Sequence, residues 1–121
     1  MRFHIPLRLV SLANMSHKHW RTLSNTSRKQ KEATHYCILN KLVEIGWQEH
    51  TVAKLPAPPI LITITRVGPR KLDDDNLASA CKYVRDQIAA EVGVDDGSDL
   101  YTWRYEQRKG AYGVDVEITP R

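Results

Sequence analysis

Cysteine is scarce in this chain of 121 residues: Cys37 and Cys81 are the only two, far apart and without a CxxC partner. A structural zinc site takes about four ligands and a disulfide scaffold usually takes more bridges, so neither is expected. Both thiols are expected to pack as small apolar residues. Long hydrophobic runs are missing too. Nothing approaches the roughly 18 apolar residues of a spanning helix. The first ten residues interrupt a short apolar stretch with Arg2, His4 and Arg8, unlike the unbroken apolar region of a signal peptide. Internal repeats, low-complexity runs and linkers are absent. A hydrophobic fraction of 41% and a charged fraction of 26% are ordinary for a globular protein. The length fits one domain, residues 1–121, with no room for a second core. The expectation is a soluble, intracellular protein.

What is present is an uneven charge. The net charge is +4, but residues 1–54 carry nine Lys/Arg against Glu32, Glu44 and Glu49, whereas residues 55–121 carry nine Lys/Arg against eleven Asp/Glu. All five histidines lie in the first half. This pattern suits either a solvated helix face or a polyanion-binding surface beside a cation-binding site.

The periodicities predict the order β-α-β-α-β-β. Residues 2–12 form a plausible edge strand. A helix begins in the basic stretch after residue 14, with Ser24, Thr26 or Ser27 as N-cap. Its apolar stripe is Tyr36, Leu39, Val43 and Trp47, flanked by Ile38 and Leu42, and Gly46 stops it. Residues 60–67, ILITITRV, read as a strand buried on at least one face. A second helix over residues 77–92 carries Leu77, Ala80, Cys81, Val84, Ile88 and Val92 at 3.6-residue spacing. Tyr101, Trp103 and Tyr105, then Val114, Val116 and Ile118, alternate with polar residues around a turn at Arg108-Lys109-Gly110, the pattern of a hairpin. The three aromatics suit a core face better than a base-stacking platform. The fold class is therefore α+β: a small mixed sheet covered by helices.

The densest chemistry lies in Lys71-Leu72-Asp73-Asp74-Asp75-Asn76, just before the second helix. Acidic residues there can cap the helix and suit its dipole. Three adjacent aspartates exceed that need, since like charges at about 4 Å cost roughly 4 kcal/mol at an effective dielectric near 20. In an extended loop Asp73 and Asp75 point the same way and invite a hard divalent cation, Mg²⁺ or Mn²⁺. Capping and metal binding both remain open on these residues alone. A second acidic knot, Val94-Asp95-Asp96-Gly97-Ser98-Asp99, reads by itself as a turn. Neither knot has the ligand spacing of an EF-hand.

Taken together, KLDDDNL, a helix of this length and GVDD before a strand resemble the RusA family of Holliday-junction resolvases, small dimeric Mg²⁺-dependent endonucleases. The resemblance covers about residues 60–119. It implies that Asp73, Asp75 and Asp96, with Asp95 beside them, hold the metal and carry catalysis. It further implies hydrolysis of phosphodiesters in branched DNA, in recombination and repair, by a cytoplasmic, bacterial or phage-encoded protein without a small-molecule cofactor. One position departs from the family: the catalytic lysine expected four residues after Asp75 is Ser79. Lys82, on the same polar face as Asp75, Ser79 and Asp86, and Lys71, just before the motif, are the candidate substitutes.

The spacing has a geometric consequence. Residues 77–92 make a helix of about 24 Å, whereas metal ligands must lie within about 2.0–2.6 Å of one ion. Two helices packed antiparallel about a two-fold axis would bring each Asp73–Asp75 to the partner's Asp96, so composite sites in a homodimer are expected. DNA-contacting cations are expected at Arg66, Arg70, Lys71, Arg104, Arg108 and Lys109, with Arg21, Arg28, Lys29 and Lys31 in the basic half. His17 and His19 read as surface or phosphate-contacting residues. Alternatives are a nuclease preferring flaps or forks, a catalytically impaired dimeric branched-DNA-binding protein, and a metal-independent interaction domain whose aspartates merely cap and turn.

Overall fold

The computed structural model describes residues 1–10, 20–44, 58–93 and 98–121. The elements are β1 (Arg2–Ile5), α1 (Trp20–Glu44), β2 (Ile60–Gly68), α2 (Asp74–Ala80), α3 (Lys82–Val92), β3 (Tyr101–Lys109) and β4 (Gly113–Pro120). They make an α+β fold with one mixed four-stranded sheet in the order β1-β4-β2-β3. No helix among the described residues is long and apolar enough to cross a membrane.

β2 is the strand read from ILITITRV, and it is central, parallel to β3 and antiparallel to β4. Its β-branched residues suit a pleated strand flanked on both sides. Ile60, Ile62 and Ile64 face the helices with Val114, Val116 and Ile118 of β4, and all six are almost wholly buried. Leu77, Ala80, Cys81, Val84 and Ile88 pack against them, as the 3.6-residue stripe predicts, and Val92 adds a partly buried contact. The helix starts three residues earlier than expected and is interrupted at Cys81, where ψ rises to −1°. Hydrogen bonds from Cys81 N to Leu77 O (3.2 Å) and from Arg85 N to Cys81 O (2.9 Å) bridge the break.

Four features differ from the sequence expectations. β1 ends at Ile5, because Pro6 lacks an N–H to continue the ladder. α1 already begins at Trp20, so Ser24, Thr26 and Ser27 lie inside it; the Thr26 hydroxyl donates to Thr22 O instead of capping. The buried face of α1 carries Gln30, Thr34, Ile38 and Leu42, while Tyr36 and Val43 are 62% and 64% exposed. Gly46 and Trp47 lie outside the described residues. The hairpin is split: β2 lies between β3 and β4, so the connection around Gly110 crosses the end of β2, and Gly110 N donates to Gly68 O at 3.0 Å. Strands one place apart are about 10 Å from each other, a span three residues can cover. Tyr101, Trp103 and Tyr105 pack on the core from the β3 edge.

The sheet face away from the helices is polar. His4 Nδ1 meets Asp115 Oδ1 at 2.6 Å and Arg108 donates to Asp115 Oδ2 at 2.7 Å. Partial burial raises the Asp115 pKa, but hydrogen bonds and charge from His4 and Arg108 outweigh it and hold the carboxyl below its ordinary 3.8. A depressed carboxyl adds stability that is present above the ordinary value and is lost as pH falls through the lowered one. The melting-temperature gap between wild type and Asp115→Asn should therefore close as pH drops from about 5 to about 2, which thermal melts will read.

Candidate functional site

The parallel β2–β3 pair sets the geometry. Ile60 lies beside Tyr101 at one end and Gly68 beside Lys109 at the other, about 26 Å along the strands. From the Gly68 end, residues 69–73 lead directly into α2. Asp73 takes the N-cap position with an extended backbone, and its carbonyl accepts from Leu77 N at 2.8 Å. Its side chain makes no capping hydrogen bond, so the carboxylate is not used as the simplest explanation of the motif requires. Asp74 and Asp75 fill the first turn, and all three aspartates are exposed. Because the chain is helical from Asp74, Asp73 and Asp75 do not share a side by strand alternation as an extended loop would make them; they flank the opening turn.

Just before this acidic turn in the chain, Arg70 and Lys71 line a cleft of about 320 Å³ together with Gly68, Gln107, Arg108 and Lys109. Four of the six expected DNA-contacting cations thus meet at one end of the sheet. Gln107, which the sequence reading missed, holds the cleft to the motif. Its amide nitrogen donates to Leu72 O at 2.7 Å and its carbonyl accepts from Leu72 N at 2.9 Å. A signal for it existed: Gln107 continues the inward parity of Tyr101, Trp103 and Tyr105, where a polar side chain needs a partner.

The other two cations stand elsewhere. Arg104 lies on the polar sheet face. Arg66 is 3% exposed; Nε donates to Leu9 O (2.9 Å) and a terminal nitrogen to Arg70 O (2.7 Å). It cannot be presented to a phosphate, and it acts instead as a brace between residues 1–10 and the loop that carries Arg70. Burial pushes the neighbouring Cys81 thiol up to about 12, partly opposed by the Arg66 charge, so Cys81 packs as a neutral apolar residue. Cys37, partly buried, is raised by burial as well.

Ser79 and Lys82 do share a cleft, also about 320 Å³, with Ala78, Arg85, Asp86 and Tyr105. Lys82 is exposed, and among the described residues it forms no ion pair with Asp86. Arg85, a second residue the sequence reading missed, is held here by its bond to Tyr105 Oη (2.8 Å) and by stacking 5.0 Å above the Trp103 ring.

Among the described residues no group of three or more His, Cys, Asp or Glu side chains is assembled for a metal. Asp95, Asp96, His17 and His19 lie outside the described residues. Ser98, the first described residue after Asp96, precedes the Tyr101 end of β3 and bonds Tyr101 N through its carbonyl at 3.2 Å. Asp73 lies at the other end. The donor chemistry of Asp73 and Asp75, two exposed carboxylates, fits a hard divalent cation such as Mg²⁺.

Comparison with family models, curated proteins and solved structures returned no match. The functional reading is therefore carried by the chain's own residues.

Proposed function

We propose that this chain is a RusA-like, Mg²⁺-dependent endonuclease that hydrolyses phosphodiesters in branched DNA, resolving four-way junctions as a homodimer. The observation that carries this reading is the cleft lined by Arg70, Lys71, Lys109 and the Asp115-paired Arg108, whose Lys71 is followed in the chain by Leu72, clamped by Gln107, and then by Asp73–Asp75. Phosphate-binding cations next to a pair of uncommitted carboxylates are what metal-assisted phosphodiester cleavage requires.

In this mechanism Arg70, Lys71 and Lys109 seat the DNA backbone in the cleft and Gln107 keeps the seat in register with the aspartates. Asp73 and Asp75 hold the metal, completed by Asp96 with Asp95 beside it. When bound, the metal supplies charge neutralisation at the phosphate and a more acidic water. Lys82, beside Ser79, stands in for the missing family lysine as the cation facing the scissile phosphate.

The opposite placement of Asp73 and Ser98 supports a site shared between two copies. Residues 74–92 span about 28 Å as helix, so two chains related by a two-fold axis, with these helices antiparallel, would set each Asp73–Asp75 against the partner chain's second acidic knot.

The expected behaviour is symmetric nicking of a labelled synthetic four-way junction in Mg²⁺, none in EDTA, and little cleavage of a matched linear duplex. Tight, salt-sensitive junction binding without nicking would instead favour the impaired DNA-binding protein that Ser79 allows. Absence of both binding and nicking would leave the aspartates as capping and turn residues.

A further inference from the structure

A second cationic surface adjoins that site next to Lys82, where α1 packs on α3. The ammonium groups of Lys31 on α1 and Lys82 on α3 both stand 5.9 Å from the centre of the Tyr83 ring. They are therefore no more than about 12 Å apart, each within reach of the attraction of the one aromatic ring. Among the described residues neither is in an ion pair. From Lys31 the same face of α1 runs back through Arg28, Ser27 and Ser24, which line a groove of about 690 Å³ against α3. Two carboxylates line this groove as well. Glu91 is engaged by His35 and by Gln87 Nε2 at 2.8 Å, and Glu32 is exposed on the outer side.

We infer that this surface is a second nucleic-acid backbone contact, in which Lys31 takes one phosphodiester beside the Tyr83 ring and Arg28 takes a neighbouring one. It rests on the nucleic-acid reading above and extends it to a face that reading leaves unused. The chemistry favours a polyanion with regularly spaced charges. The seven helical steps from Ser24 to Lys31 cover about 10 Å, and a DNA strand offers a phosphate about every 3.4 Å along its axis. Lys82 lines the Ser79 cleft and its ammonium shares the Tyr83 ring with that of Lys31, which lines the α1 groove, so a strand seated at Lys82 has Lys31 within about 12 Å.

The test is binding of a fluorescein-labelled four-way junction in EDTA, followed by anisotropy over a series of KCl concentrations. Lys31→Gln/Arg28→Gln should lower affinity about ten-fold at moderate salt and flatten the slope of log K against log salt by about 1.8, the value for two lost phosphate contacts. Lys31→Gln alone should flatten it by about 0.9, and Lys31→Arg should restore it. Arg70→Gln/Lys109→Gln serves as the reference for the first cleft. If that reference weakens binding while the Lys31 and Arg28 variants keep the wild-type slope and affinity, the inference is overturned and the proposed function stands. If wild type binds no junction at all, both fall.

Discussion

Asp75→Asn should abolish metal-dependent nicking, by at least about a hundred-fold, while leaving junction binding close to wild type. The substitution keeps shape and hydrogen-bonding capacity but removes the negative charge that holds a divalent cation. A bound metal contributes several kcal/mol to the transition state of phosphoryl hydrolysis, and each 1.36 kcal/mol is a factor of ten in rate. Asp75 is exposed and sits in the first turn of α2, so the fold has little to lose. Removing one of three adjacent aspartates even relieves repulsion, and melting temperature should hold or rise slightly. Asp74→Asn is the matched control. It makes the same charge change one residue away at a position the proposed site does not use, and it should cost far less activity. Single-turnover nicking rates with both variants will check this; equal loss in the two would mean that only the summed charge of the turn matters.

Arg66→Ala should have the largest effect on stability, about 3–5 kcal/mol. Its guanidinium is buried and bonds two backbone carbonyls, Leu9 O at 2.9 Å and Arg70 O at 2.7 Å. Hydrogen bonds to a charged group contribute about 1.5–3 kcal/mol each, and the truncation also leaves a void and two carbonyls without their donor. For a domain of this size the melting temperature should drop by roughly 12–20 °C. Arg66→Lys will not rescue it, because one ammonium on a flexible stem does not reproduce the planar fork that spans both carbonyls. At temperatures where the variant is folded, the salt dependence of DNA binding should keep its wild-type slope. A stable Arg66→Ala protein with a slope flatter by about 0.9 would make Arg66 a phosphate contact instead.

Arg66 also shows where the sequence stops being legible. As the only cation in ILITITRV it has the inward parity of Ile60, Ile62 and Ile64, yet its charge and its closeness to the acidic motif suggest an exposed role. Only the third dimension reveals Leu9 O and Arg70 O waiting for it. The reverse happened on α1, where Tyr36 and Val43 are apolar but exposed, and Gln30 and Thr34 are polar but buried. Thr34 can be buried because its hydroxyl returns to Gln30 O at 2.8 Å, a satisfaction invisible to a hydrophobicity pattern. Strand identity was readable from alternation in β2, β3 and β4, whereas pairing was not. Alternation reports which face is buried, and it is silent on whether β4 follows β3 as a neighbour or lies beyond β2. The stripe from Leu77 to Ile88 was readable because a helix buried along one side repeats its contact every turn. In the candidate site, the four cations of the first cleft were legible as charges near the motif. Gln107 and Arg85 were not, since each earns its place through a partner distant in sequence: Leu72 for Gln107, and Trp103 with Tyr105 for Arg85.

Completion of the metal site between two copies can be read by mixing inactive subunits. Asp75→Asn and Asp96→Asn proteins are prepared separately, then unfolded together and refolded to give mixed dimers. Nicking of the labelled four-way junction is then measured in Mg²⁺ and in EDTA. If each site takes Asp73 and Asp75 from one copy and Asp96 from the other, a mixed dimer carries one doubly defective site and one intact site. The predicted result is Mg²⁺-dependent nicking of one strand by the mixture and none by either parent. A mixture as inactive as its parents, when the co-refolded wild type nicks both strands, would contradict the shared site.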